Sequence, residues 1–147
     1  MEKRKHPQIT LTPIGHVERP EGAEARFSTP EELRSSPARI VLDNALIDAL
    51  LGIEPGSDIL VLCYFHLSEG YDLQIHPRGD PSRPLRGLFA TRTQYRPNPI
   101  SVTSARVVNV RENVLEVVGL DAIDNTPVLD IKTHASAFDT PYRLEED

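Results

Sequence analysis

The clearest pattern of hydrophobic and polar positions lies in the C-terminal half of the chain, where short apolar segments alternate with turns. Residues 102–110 and 114–120 have the composition of strands, and a tight turn at residues 111–113 joins them into a predicted hairpin. A second turn at residues 124–127 precedes another predicted strand, residues 128–132. This half of the chain is therefore predicted to be mostly β.

The N-terminal half has a weaker pattern because proline and glycine interrupt it. Residues 9–18 alternate loosely around Pro13, which predicts an edge strand or a bulged strand, and residues 39–42 predict a short one. Between them, residues 19–37 form a polar loop. One helical turn is expected there at residues 30–33, because proline suits the first position of a helix.

The middle of the chain contains the predicted helix and the most apolar segment. Asp43 or Asn44 is expected to cap a helix that runs through Leu51. Residues 58–67 are apolar without alternation, which predicts a strand buried on both faces. Residues 71–75 and 88–91 predict two further short strands.

One helix among seven or eight strands predicts a mainly β fold, and strands this numerous close into a barrel or a sandwich. A chain of 147 residues is expected to form one domain. No apolar run approaches the roughly 20 residues of a membrane helix, and no apolar segment follows the basic N-terminus as in a signal peptide. The single cysteine, Cys63, excludes a disulfide framework and is consistent with a cytosolic protein.

Charge separates one segment from the rest of the chain. Residues 78–106 contain six arginines and one acid, a balance of +5, whereas the net charge of the whole chain is −6. The other residues therefore carry −11, because −6 minus +5 is −11. This asymmetry predicts a face for an anionic partner. The alternative is that these arginines pair with acids elsewhere in the fold.

The candidate chemistry is concentrated around the corner formed by Pro97, Asn98 and Pro99. The two prolines stiffen the backbone on both sides of Asn98, close to Arg86, Arg92 and Arg96. An ordinary proline-rich loop with solvated arginines is the alternative. There is no phosphate-binding glycine loop, no paired-cysteine metal site and no dinucleotide-binding pattern.

Three histidines and one carboxylate in or beside the predicted strands are further candidates for a metal or catalytic site. His66, His76 and His134 with Asp130 lack the spacing of metal ligands, so no metal is predicted. His66 ends an apolar segment, where it could emerge at a barrel mouth or simply be a hydrogen-bonded strand end. Asp130 and Lys132 share a strand face, where a surface ion pair would contribute about 0–1 kcal/mol.

Five segments, in this order and across the whole chain, resemble the TrmO (YaeB/TsaA-like) family. They are Pro13-Ile14-Gly15, Tyr64-Phe65-His66, Gly87-Leu88-Phe89-Ala90-Thr91-Arg92, Arg96-Pro97-Asn98-Pro99-Ile100 and Asp124-Asn125-Thr126-Pro127-Val128-Leu129-Asp130-Ile131-Lys132. The resemblance implies a β-barrel of one domain, residues 1–147, without the small C-terminal domain of many bacterial members. It implies a cytoplasmic, homodimeric methyltransferase that uses S-adenosylmethionine. The implied substrate is the exocyclic nitrogen of threonylcarbamoyl-adenosine beside the tRNA anticodon.

The resemblance also implies roles for individual residues. The expected cofactor-binding residues are His66, Leu67, Arg92, Val102, Asp124, Asn125, Thr126 and Pro127. Anticodon-loop phosphates and flipped bases are expected at Arg86, Tyr95 and Arg96, and Phe89 is a second base-stacking candidate. The candidate catalytic residues are Asn98 and Asp130, although a backbone carbonyl or the substrate itself could equally accept the hydrogen bond of the reacting nitrogen. Arg92 is expected to fold over the barrel mouth towards the cofactor. Arg96 is expected to point away from the strand, towards a substrate or across a dimer seam.

Two departures from the family pattern matter for function. Asn125 stands where the family usually has glycine, and asparagine is the next-best residue for a left-handed backbone position. Residues 26–30 stand where bacterial members have Pro-Arg-Gln. Two alternatives therefore remain open: the same barrel methylating another RNA or a small molecule, and a module that binds an adenosyl ligand without turnover.

Overall fold

Eight strands, two short α-helices and four 3-10 segments make up the part of the chain that the computed structural model describes. This part is residues 5–145, without the side chains of Ala23, Arg26 and Phe27. The strands are β1 Gly15–Glu18, β2 Ala38–Leu42, β3 Asp58–Tyr64, β4 Gln74–Ile75, β5 Arg86–Gly87, β6 Ile100–Arg111, β7 Val114–Val118 and β8 Pro127–Thr133. The helices are α1 Pro30–Ser35 and α2 Ser136–Asp139, and the 3-10 segments are Gly22–Phe27, Asn44–Leu50, Pro77–Gly79 and Leu88–Ala90.

Six of the strands close into an antiparallel barrel in the order β1-β2-β7-β6-β3-β8. The two remaining strands, β4 and β5, pair only with each other in a small separate sheet. The predicted mainly β barrel is confirmed. No helix among residues 5–145 is long and apolar enough to cross a membrane.

The barrel interior is filled by every second side chain of its strands. In β3, Ile59, Val61 and Cys63 are fully buried while their neighbours along the strand are not. In β7, Leu115 and Val117 alternate in the same way. The expectation that residues 58–67 form a strand buried on both faces was wrong, because the closed barrel gives each strand one inner face and one outer face. The strand also ends earlier, at Tyr64.

Two other segments have a different secondary structure from the one that the sequence predicted. The backbone N–H and the hydroxyl of Thr91 both donate to the carbonyl of Leu88, at 3.1 and 2.7 Å, and this closes a 3-10 turn where a buried strand was predicted. Phe89 is consequently 82% exposed. The predicted helix through Leu51 is a 3-10 segment, and the side chain of Asp43 makes no capping hydrogen bond to it. Leu51 itself lies outside the segment and is exposed.

Two elements agree closely with the sequence. Helix α1 has Pro30 in its first turn and a capping box in which Thr29 and Glu32 satisfy each other's backbone N–H groups. The β6–β7 hairpin turns at Glu112, whose φ of 54° is left-handed. Strand β6 is longer than β7, however, and pairs with it only from Arg106 onwards. Its first residues pair with β3 on one side and leave the other edge free of a strand.

Candidate functional site

A groove of about 500 Å³ lies along the part of β6 that β7 does not cover. Four segments that are distant in sequence contribute to it: helix α1, the residue after β3, the loop before the proline corner, and the residues after β7. Its lining consists of Arg34, Phe65, Thr91, Arg92, Arg96, Ile100, Ser101, Val102, Thr103, Ser104 and Asp121. Three guanidinium groups therefore meet hydroxyls, an aromatic ring and one carboxylate.

Two of the predicted arginines, Arg92 and Arg96, line this groove. A guanidinium nitrogen of Arg92 donates to the carbonyl of Val102. Arg96 folds back and donates from Nη1 to the carbonyls of Thr91 and Thr93, at 3.0 and 3.2 Å. Backbone carbonyls of the preceding loop therefore hold the guanidinium group of Arg96. Its expected role towards a substrate or a dimer seam stays a prediction.

The arginine-rich segment divides into two sets of three. Arg78, Arg83 and Arg106 form exposed ion pairs with Glu31, Asp80 and Asp58. The hydrogen bond from Arg106 lowers the pKa of Asp58. The other three are Arg86, Arg92 and Arg96, whose guanidinium groups bond backbone carbonyls and form no salt bridge with any residue of 5–145. The alternative of pairing with acids thus holds for half of these arginines, and a face for an anionic partner stays a prediction for the other half.

The turn at residues 124–127 has the predicted backbone but lies against β1. Asn125 is left-handed, with a φ of 64°, and this confirms the expectation for the position. Its N–H donates to the carbonyl of Val17 at 2.7 Å, and the N–H of Val17 donates to the carbonyl of Thr126 at 2.9 Å. Thr126 is buried, Asp124 and Pro127 are half-buried, and none of the four turn residues lines the groove.

The end of β3 and the proline corner are joined beside the groove. The N–H of Phe65 donates to the carbonyl of Pro99 at 2.8 Å, so the corner is fixed to the residue that follows the strand. His66 is half-buried and Leu67 is 61% exposed, and both come directly after Phe65, which lines the groove. These two expected cofactor residues are therefore adjacent in the chain to the groove wall.

The remaining predicted residues lie outside the groove lining. Arg86 and Tyr95 are exposed on the segment that supplies Arg92 and Arg96, and the side chain of Asn98 is exposed at the corner. Asp130 pairs with Lys132 at 3.2 Å and accepts the N–H of Ile131 at 2.9 Å. The catalytic roles of Asn98 and Asp130 stay predictions.

Histidine side chains elsewhere are engaged with other groups. Nδ1 of His76 is 2.8 Å from the carbonyl of Arg83, and His134 lies 3.4 Å from the carboxylate of Asp139. Within residues 5–145, no group of three histidine, cysteine or acidic side chains could hold a metal ion.

Sequence reasoning missed Arg19, Arg34, Thr103 and Asp121. Arg34 follows the predicted helical turn, and Asp121 follows a predicted strand, so both positions could have been flagged as strand-end or helix-end polar residues. Arg19 carries no such signal, because two of the three backbone carbonyls that its side chain contacts lie more than 100 positions away in the sequence. Burial lowers the pKa of Arg19, while the carboxylates of Glu21, Asp121 and Asp124 act in the opposite direction.

The sequence is similar to a known protein family and to individual proteins. Residues 24–140 match the family model of the tRNA-methyltransferase O N-terminal domain. An S-adenosyl-L-methionine-binding protein of Archaeoglobus fulgidus is 34% identical over 139 residues, which is 93% of this chain and 97% of that protein. The rat tRNA (adenine(37)-N6)-methyltransferase is 31% identical over 147 residues, covering 93% of this chain and 33% of that protein.

The fold is similar to that of solved proteins as well. The crystal structure of TrmO from Pseudomonas aeruginosa superimposes with a TM-score of 0.71 and 26% identity. The match covers 95% of this chain and 61% of that structure, so the chain spans about three fifths of the length of the solved protein.

Proposed function

The chain belongs to the TrmO family, and from that premise we propose that it is an S-adenosylmethionine-dependent tRNA methyltransferase. Its target is the exocyclic nitrogen of the adenosine beside the anticodon in the threonylcarbamoyl form. Residues 1–147 act as one domain in this proposal. The proposal is supported by relatives named as S-adenosyl-L-methionine-binding proteins and as tRNA (adenine(37)-N6)-methyltransferases.

The observation that carries the proposal is the groove that unites Arg92, Arg96 and Val102. Its volume of about 500 Å³ is suited to a small-molecule ligand. Guanidinium groups suit a carboxylate, hydroxyls suit a ribose or an amino group, and the ring of Phe65 suits an adenine or a sulfonium. This donor set fits S-adenosylmethionine, which when bound supplies the methyl group.

The protein contributes positioning more than acid–base chemistry. Methyl transfer is an in-line displacement, so catalysis comes from holding the nitrogen and the methyl carbon about 3–3.5 Å apart in the right direction. The Pro97 to Pro99 corner, tied to Phe65, is stiff enough to provide such a frame. The Asp130 carboxylate, which pairs with Lys132, a backbone carbonyl or the substrate itself can accept the nitrogen's hydrogen bond.

Exposed side chains beside the groove supply the tRNA surface in this proposal. Arg86 is the positive group, and Phe89 and Tyr95 are exposed rings on which flipped bases can stack. Binding to phosphates releases counterions, so affinity for tRNA should fall steeply with added salt, whereas affinity for S-adenosylmethionine should hardly change. An enzyme with this substrate works in the cytoplasm.

A homodimer is the proposed assembly. Large apolar side chains are unusually exposed along residues 64–102, where an isolated protomer leaves them in water. They are Tyr64, Leu67, Tyr71, Leu73, Leu85, Phe89, Tyr95, Ile100 and Val102. A second copy and a tRNA together account for such a surface, and sedimentation at several protein concentrations measures the assembly.

The test of the proposed function is methyl incorporation from labelled S-adenosylmethionine into tRNA. We expect transfer to tRNA that carries threonylcarbamoyl-adenosine and none to the same transcript with unmodified adenosine. Transfer to the unmodified transcript would mean that the threonylcarbamoyl group is not part of the substrate. Cofactor binding by calorimetry without any transfer would instead identify a module that binds the ligand without turnover.

A further inference from the structure

Asp121 is the one carboxylate among the residues lining the groove, and it stands among three arginines. Its Oδ1 accepts a hydrogen bond of 2.9 Å from the hydroxyl of Thr103, a buried residue of β6. No residue of 5–145 donates a hydrogen bond to its Oδ2. Thr103 of the barrel thus orients the carboxylate through Oδ1, and Oδ2 is available to accept a hydrogen bond from a ligand.

The backbone on both sides of Asp121 is held by one buried guanidinium group. Arg19 is 5% exposed and donates from Nε to the carbonyl of Ala122 and from Nη2 to the carbonyl of Leu120. Its Nη1 donates to the carbonyl of Leu33 at 3.2 Å, which adds helix α1 to the same cluster. Arg19 therefore fixes the two carbonyls that flank Asp121, while the Asp121 side chain reaches Thr103 and the groove.

Only an arginine can make this set of contacts from one side chain. Its planar group carries five N–H donors in a fixed arrangement, whereas a lysine carries three donors on a single atom. The N–H of Arg19 also donates to Oδ1 of Asp124 at 2.8 Å. A buried charge satisfied by three backbone carbonyls is costly to remove, and its geometry is transmitted to the segment that it holds.

We propose that Asp121 binds the amino group of the amino acid part of the cofactor, and that Arg19 is the positioning residue that aims Asp121 into the groove. This inference rests on the proposed function. The amino acid part of the cofactor is a zwitterion, and the groove offers a matching pair of charges, guanidinium groups for the carboxylate and Asp121 for the ammonium. Without Asp121 the groove lining would hold positive charges only.

The test compares two ligands that differ in a single group, S-adenosylhomocysteine and its analogue lacking only the amino group. In the wild-type protein, calorimetry should give at least about tenfold tighter binding of S-adenosylhomocysteine, the size expected for one charge-assisted hydrogen bond. Asp121→Asn should lose about tenfold in affinity for S-adenosylhomocysteine and bind the deamino analogue as before. An equal loss for both ligands would overturn the inference, because it would indicate a purely structural role.

Arg19 is tested with the same pair of ligands. Arg19→Lys and Arg19→Met should lose discrimination between them, with Met the more severe, and combination with Asp121→Asn should add little because both act on one contact. Melting temperatures show whether each variant folds. If Arg19→Met does not fold, the affinities of Arg19→Lys for the two ligands test the positioning role. Arg39→Lys, on the outer barrel surface beside Glu116, is the matched control and should leave both affinities unchanged.

Two other outcomes are distinguishable. A folded Arg19→Lys and Arg19→Met pair with wild-type discrimination would overturn the positioning role. A wild-type protein that binds neither ligand would instead overturn the proposed function itself, and the inference with it.

Discussion

The barrel and the segment that follows β3, residues 65–99, are built on opposite principles. In the barrel, inner side chains such as Ile59, Val61 and Leu115 are fully buried, and the closed strand order leaves no sheet edge along most of its length. In residues 65–99, Leu88 is the one buried side chain, and the only strands are two residues long. The barrel can supply the stability, whereas residues 65–99 present apolar and cationic groups to a partner.

The two regions also use polar groups differently. On the barrel, Arg106 and Asp58 form a cross-strand ion pair in which each charge satisfies the other. In residues 65–99, Arg86, Arg92 and Arg96 are held by carbonyl oxygens, which orient a guanidinium group without neutralising it. An oriented but unneutralised cation is suited to an anionic ligand.

The largest expected difference is between leucines in the two regions. Leu115→Ala should lower the free energy of unfolding by about 2–5 kcal/mol, because it opens a cavity in a fully buried site. Leu73→Ala removes the same atoms from a side chain that is 76% exposed in the protomer. At a protein concentration low enough to separate any dimer, it should change the free energy of unfolding by less than about 0.5 kcal/mol. Urea denaturation measures both. Similar losses at the two positions would contradict the division between the regions.

A second pair of substitutions adds one methyl group in each region. A Cβ at Gly15 would lie 2.2 Å from the carbonyl oxygen of Val41, so Gly15→Ala should force β1 from β2 and cost about 3 kcal/mol. Gly87→Ala meets no atom within 4 Å and has an ordinary φ of −62°, so it should be nearly neutral. Thermal unfolding measures the stability of both variants. Wild-type stability of Gly15→Ala would mean that β1 and β2 can separate enough to accommodate the added methyl group.

The turn at Asn125 lies at the end of the barrel and is expected to bind the cofactor. It therefore tests whether ligand binding depends on the barrel as well as on residues 65–99. Asn125→Gly should be nearly silent, since glycine adopts the left-handed conformation freely. Asn125→Val should strain the turn by about 1–3 kcal/mol and weaken cofactor binding. Calorimetry with S-adenosylmethionine measures the affinity of each variant. Equal affinities would contradict the requirement for a left-handed residue at this turn.

Much of this architecture follows from local sequence patterns. The β6–β7 hairpin, helix α1 with Pro30 and the left-handed Asn125 each depend on residues within a few positions of one another. The contacts of Arg19 with Leu120 and Ala122 span 101 and 103 residues, so only the closed barrel brings them together. The turn at Leu88 was mispredicted because the Thr91 hydroxyl competes with strand hydrogen bonding, a choice that hydrophobicity does not encode.

A further expected effect is a loss of stability at alkaline pH that originates in the barrel. Burial raises the pKa of Cys63 to about 12. Because the folded pKa exceeds the unfolded value of about 8.5, the neutral thiol contributes stability fully below that pH and loses it as the pH rises further. Cys63→Ala should therefore lose less of its free energy of unfolding between about pH 8.5 and 11. Identical slopes for the two proteins, in denaturation at each pH, would contradict the burial argument.

The most direct measurement of the central claim is a crystal structure of the protein with S-adenosylhomocysteine. We predict that the ligand occupies the groove along β6, with Arg92 at its carboxylate and Asp121 at its amino group. The outer barrel surface around Arg39 and Glu116 has a cavity of its own, of about 330 Å³, and should be empty. Density for the ligand on that surface, with the groove along β6 unoccupied, would contradict the assignment of function to the groove.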